Sequence, residues 1–195
     1  LKPIRHSAGV HAKLALPNLL RDPHFSPHTQ TEGPTIGTHK APVTVVSFSD
    51  YGCPYCAQSH QILRQLLRDY AGKIRIVHRY FPQHQNPYGL LASQAAHCAD
   101  EQDKFWRYHD LIFQQNSAPT SDTLHKLAKK SNLNIPLFEQ CLHSERAQKA
   151  VRKHRDIGLK HGIEGTPSLY INGIKMVGVL PLPIIKAIIE RELGA

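Results

Sequence analysis

The sequence has no run of about 18 consecutive apolar residues, the least a membrane-spanning helix needs. A transmembrane helix within these 195 residues is therefore excluded. Residues 1–20 hold Lys2, Arg5, His6, His11 and Lys13. They are too polar to form the apolar centre of a signal peptide, so an exported protein would already have lost that signal. No internal repeat or low-complexity tract stands out. Cysteine is sparse, with four residues, far from the dense framework of a small secreted scaffold. Acidic residues are outnumbered by basic ones, 15 to 24, for a net charge of +9. Binding nucleic acid would call for a basic stripe with interleaved aromatics. The nearest stretch, Arg146 to Lys160, has no aromatic residue. It reads as a solvated helix face, and no nucleic-acid partner is expected.

What is present suits a globular chain: 41% of the residues are apolar, and the length allows one domain with a proper core or a small domain with an insertion. Residues 1–40 are punctuated by Pro and Gly and lack a sustained period, which marks an N-terminal arm. A short helix near Val10 to Leu20 fits the pattern, with Pro17 inside it. Val43 to Ser49 is β-branched and apolar throughout, a buried strand. Ile62, Leu63, Leu66, Leu67 and Tyr70 then recur at helical spacing, and Gly72 marks the end of that helix. Ile74 to Phe81 forms the next strand, completing a βαβ unit with parallel strands. A long helical stretch follows through Ile157, with Ser144 as a helix cap. Ser168 to Ile171 and Lys175 to Val179 flank Asn172-Gly173, a strong hairpin signal. Pro181 to Leu193 makes a terminal helix.

The chemistry centres on Cys53-Pro54-Tyr55-Cys56. A Cys-x-x-Cys pair alone is a weak signal, but this one lies between a buried strand and a helix. Pro54 suits the first helical position, which makes Cys53 the N-cap. Its sulfur then faces free N–H groups and the positive end of the helix dipole, so its pKa falls. Cys56, one turn deeper, is shielded. Cys53 is the candidate nucleophile and Cys56 the resolving thiol. Asp50 either handles the proton of Cys56 or caps the turn. Zinc needs about four ligands, and no second close Cys or His pair has suitable spacing. No metal and no cofactor beyond the redox-active cysteines is expected. The 14 histidines are scattered; His60 and His78 read as surface and sheet residues.

Ser47 to Cys56 (SFSDYGCPYC), with Gly165-Thr166-Pro167 far downstream, resembles the DsbA-like family of thiol-disulfide oxidoreductases over about residues 35–195. Phe105-Trp106 and Tyr108-His109-Asp110 also look familial. The resemblance implies an α/β thioredoxin fold, βαβ then ββα, with a helical domain inserted between. The boundaries are an arm at 1–40, a thioredoxin-fold domain at 41–85 and 163–195, and a helical insert at 86–162. It implies a cis bond before Pro167 that sets the Thr166 backbone beside Cys53, there to pair with an extended substrate strand and to keep metals off the thiols. It also implies a second disulfide between Cys98 and Cys141, the alternative being two buried free thiols. Pro54, Tyr55, Thr166, Pro167 and Asp50 are the expected support for the two cysteines.

The implied function is introduction of disulfides into exported proteins in a periplasm. The partners are reduced or misfolded exported proteins and a membrane or periplasmic redox partner that accepts electrons. The protein is expected as a monomer or as a dimer formed through its arm. Two other readings stay open. One is a disulfide isomerase or reductase; the other is a non-catalytic binding module or holdase with a structural Cys pair.

Overall fold

A computed structural model describes residues 21–25, 32–83, 87–115 and 118–194. The helix expected near residues 10–20 lies outside them. Strand β1 (Thr35–Gly37) is followed by β2 (Val43–Ser49), helix α1 (Pro54–Asp69) and β3 (Ile74–Tyr80). Helices α2 (Pro87–Asp100), α3 (Phe105–Phe113), α4 (Ser121–Lys130), α5 (Ile135–Leu142) and α6 (Glu145–Lys160) come next. Strands β4 (Ser168–Ile171) and β5 (Ile174–Val177) and helix α7 (Leu182–Glu192) end the chain. The strands form one sheet in the order β1-β3-β2-β4-β5. β2 and β3 are parallel, joined through α1, and the remaining pairs are antiparallel.

Every residue of β2 and β3 is buried, as their continuous apolar character requires of strands covered on both faces. Alternation divides each strand between the faces. Val43, Val45, Ile74 and Ile76 pack with Leu63 and Leu66 of α1 and Ile185, Ile188 and Ile189 of α7. Val46, Phe48, Val77 and Phe81 form a cluster on the other face. At the hairpin, Asn172 (φ 46°) and Gly173 (φ 88°) both take left-handed conformations, the pair of positive φ values that a two-residue I′ turn needs. α1 ends earlier than Gly72, at Asp69, with Tyr70 as its C-cap. Ser144 does occupy the N-cap position of α6, but its hydroxyl donates to the Cys141 carbonyl instead of capping.

Part of the expected arm joins the fold. Thr35–Gly37 pairs with β3 as an edge strand. Phe25 is buried and its ring stacks on Tyr170 at 3.7 Å between centroids. The helices between β3 and β4 share their own apolar cluster, and a disulfide joins Cys98 of α2 to Cys141 of α5. On α6, Lys149, Arg146 and Lys153 pair with Glu145, Glu101 and Glu32.

Candidate active site

The end of β2 delivers the chain into a tight turn, and α1 begins directly behind it. Cys53 is the N-cap of α1, extended at φ −96° and ψ 118°, with Pro54 following at the helix start. A cap residue must leave the helical region while the next residue enters it, and the ring of Pro54 supplies that φ without needing an N–H partner. Cys53 is half-buried, Pro54 and Tyr55 are exposed, and Cys56 is buried. Both cysteines are free thiols.

The two thiols are driven apart. Cys53 is lowered to about 6, chiefly by its hydrogen bond with the Cys56 side chain. The Cys56 and Tyr55 backbone N–H groups and the Thr166 side chain add to this, while partial burial opposes it. Burial pushes the Cys56 thiol up, and the neighbouring Cys53 reinforces the shift. The pair therefore has one accessible sulfur that ionises readily and one shielded sulfur that holds its proton, the division thiol exchange needs.

From across the sheet, the loop before β4 closes the site. The Thr166–Pro167 bond is cis. The Cys53 thiol donates to the Thr166 carbonyl oxygen at 3.4 Å. Thr166 is half-buried and Pro167 buried. On the other side, Cys53 and Pro54 border a groove with Ile112, Phe113, Gln115 and Ala118.

Asp50 meets Cys56 through its backbone: its N–H donates to the Cys56 sulfur at 3.4 Å. Its carboxylate accepts from the N–H of Gly52 at 2.9 Å and from the N–H of Gln83 at 3.1 Å. Burial raises the carboxyl pKa and these two amides oppose the rise. This geometry holds the turn. Gly89 lies so close that an added Cβ would sit 2.0 Å from the Asp50 carboxylate.

Sequence reasoning missed the floor of the site. His60 is buried, not on the surface. It lines a small cavity beside Cys56 together with Ser47, Ser49, His78 and His109. His78 does lie in the sheet, in register with Ser47, and burial lowers its pKa to about 3. The Tyr51 hydroxyl and His109 Nδ1 share a hydrogen bond of 2.7 Å. One signal was available: the apolar face of β2 turns polar at Ser47 and Ser49, just where α1 passes over it. Among the described residues, no three His, Cys, Asp or Glu side chains are grouped to hold a metal ion.

The family model described as Thioredoxin matches residues 29–191. Na(+)/H(+) antiporter NhaA 3 of Salinispora tropica is 34% identical over 138 residues, 70% of this chain and 21% of that protein. The chain thus spans about a fifth of that relative's length. Probable disulfide bond formation protein D of Bacillus anthracis is 30% identical over 151 residues, 71% of this chain and 69% of that one. The crystal structure of oxidised BdbD from Bacillus subtilis matches with a TM-score of 0.73 at 27% identity, covering 84% of this chain and 94% of that chain. The chain belongs to the thioredoxin family, as a DsbA-like member.

Proposed function

We propose that the chain is a thiol-disulfide oxidoreductase that introduces disulfides into exported proteins. The observation that carries this reading is the split between the two thiols, Cys53 at about 6 and Cys56 pushed up by burial. In the oxidised enzyme a substrate thiolate attacks the Cys53 sulfur, and Cys56 leaves. A second substrate thiolate then attacks the substrate sulfur of the mixed disulfide. Cys53 departs with the bonding pair, easily, because low-pKa thiolates are good leaving groups. The substrate gains a disulfide and the enzyme holds two electrons as a dithiol, which an electron-accepting redox partner must remove.

The resemblance to proteins named for disulfide bond formation supports this direction. A bonded Cys98–Cys141 pair supports an oxidising compartment outside the cytosol. The groove beside Cys53 and the Thr166 carbonyl suit an extended, cysteine-bearing segment of an unfolded protein. No helix among the described residues is long and apolar enough to cross a membrane.

The test is the reduction potential of the Cys53–Cys56 pair, with stoichiometric oxidation of a reduced, unfolded protein by the disulfide form. A potential above about −200 mV and complete oxidation are expected, since protein disulfide isomerase lies near −180 mV and DsbA near −120 mV. A potential near about −270 mV, that of thioredoxin, makes the chain a reductase. No transfer at all makes it a binding module.

A further inference from the structure

Cys56 must give up a proton each time it attacks and regain one each time it leaves, yet it is 1% exposed. The Asp50 carboxylate is engaged by the backbone amides of Gly52 and Gln83. The floor of the site offers another route. β2 presents Ser47 and Ser49 to this face, β3 presents His78, and α3 adds His109 and Trp106. His78 Nε2 and Trp106 Nε1 are both buried without a hydrogen-bond partner. Between these groups and Cys56 there is about 10 Å³ for the centre of a water molecule, the least that one buried water occupies. Two unpartnered ring nitrogens and nearby serine hydroxyls are the polar surroundings such a water needs.

His60 connects this space to solvent. It lies four residues after Cys56 on α1, hence on the same helix face one turn away, and lines the same cavity. Its Nε2 is 3.2 Å from Asp110 Oδ1, an ion-pair distance at which the buried carboxylate oxygen makes no aligned hydrogen bond. Arg64, a further turn along, is 3.4 Å from Asp110 Oδ2. The side chains of Asp110 and Arg64 are 25% and 33% exposed, against 7% for His60. The ring of His60 is also fixed by stacking on Phe113 and an edge contact with His109, each at 4.9 Å. A thiol and an imidazole thus line one cavity, with a partly exposed carboxylate residue beside the imidazole. A base held beside a third group is the arrangement that activates nucleophiles.

We propose that His60, held by its ring contacts beside Asp110, is the proton acceptor and donor for Cys56, acting through one water in the cavity. This rests on the thiol-exchange reading above. When Cys56 resolves a mixed disulfide, its S–H bond breaks and the proton passes to the His60 imidazole. The Cys56 thiolate bonds to the Cys53 sulfur, the bond from Cys53 to the substrate sulfur breaks, and the substrate leaves as a thiolate. In the reverse direction the imidazolium returns the proton to the departing Cys56. His78 of β3, His109 and Asp110 of α3, and Arg64 and Cys56 on its own helix are the titratable and charged groups facing His60.

The test uses the full chain carrying a Cys53 mixed disulfide with thionitrobenzoate, whose release by Cys56 is followed in stopped flow from acid to alkaline pH. His60→Gln should slow release about a hundredfold at neutral pH, the low end of acid–base contributions, and leave a rate that simply rises with hydroxide. Asp110→Asn should shift the pH profile. Cys53 alkylation in the dithiol form should not change. In the unsubstituted protein, release should be slower in heavy water. A His60→Gln protein with the original rate and profile overturns the proposal. Should that variant not fold, an unshifted Asp110→Asn profile together with equal rates in light and heavy water overturns it equally. Failure of the unsubstituted protein to release thionitrobenzoate at any pH defeats the exchange reading and the relay with it.

Discussion

The Cys53 thiol and the Thr166 carbonyl oxygen lie 3.4 Å apart although 113 positions separate the two residues. The Thr166 side chain also helps to lower the Cys53 pKa, after the larger effect of Cys56. Cys56→Ala should therefore raise the Cys53 pKa further than Thr166→Ala does, each read from the pH dependence of thiolate absorbance. A larger shift in the Thr166 variant would mean that the loop, not the resolving thiol, controls Cys53.

The dithiol form should carry a pH-dependent contribution to stability that the disulfide form lacks. Cys53 has a folded pKa of about 6, below the ordinary thiol value of about 8.5. A depressed pKa stabilises the folded state fully above the unfolded value and is lost as pH falls through the folded one. At pH 7 the contribution is at most about 1.4 kcal/mol, and exposure of the half-buried sulfur reduces it to about 1 kcal/mol. The raised Cys56 pKa opposes it only where unfolded thiols ionise, above about pH 8.5. Urea unfolding of dithiol and disulfide forms should show the dithiol losing about 1 kcal/mol relative to the disulfide between pH 7 and pH 5. An unchanged difference would contradict the lowered Cys53.

The positions of Cys53 and Pro54 at the start of α1 were legible because helix capping is local: strand, N-cap and first-turn proline occupy adjacent positions. The buried strands were legible for the same reason, as was the Asn172-Gly173 hairpin. Thr166 and Pro167 came only through resemblance, since their place depends on a contact across the whole helical segment. The floor of the site was hidden for another reason. His60, His78 and His109 come from a helix, a strand and a second helix, so no spacing in the sequence joins them. β1 has three residues and lies at an edge, too short for an alternating pattern. Phe25 gave no sign that it would stack on Tyr170.

Asp50 should behave as a turn residue. Asp50→Ala leaves the Gly52 and Gln83 amides without their acceptor and should destabilise the fold by about 1–3 kcal/mol. Asp50→Asn keeps an acceptor oxygen and should lose less, with the Cys56 step near its original rate. Chemical denaturation and thionitrobenzoate release check the two halves. If Asp50→Asn stays folded but slows the Cys56 step as His60→Gln is expected to, Asp50 handles the proton after all.

The Cys98–Cys141 bond spans a sequence separation of 43 and ties α2 to α5. Replacing both cysteines with Ala should lower stability by about 2–4 kcal/mol, while the exchange rate of the folded fraction stays the same. The bond should also survive mild reduction that opens Cys53–Cys56, because both of its sulfurs are buried. Peptide mapping after graded reduction would show the order. Loss of Cys98–Cys141 first would mean that the helical segment opens more readily than its packing implies.

The most direct test of the account is to trap the exchange intermediate with single-cysteine variants and a reduced, then partly oxidised, unfolded protein, and to map the bonded sulfur by mass spectrometry. Cys56→Ser should accumulate mixed disulfides, all through Cys53, and Cys53→Ser should accumulate essentially none. Mixed disulfides through Cys56 in the Cys53→Ser protein, at a level matching the other variant, would contradict the assignment of the exposed N-cap sulfur as the attacking group.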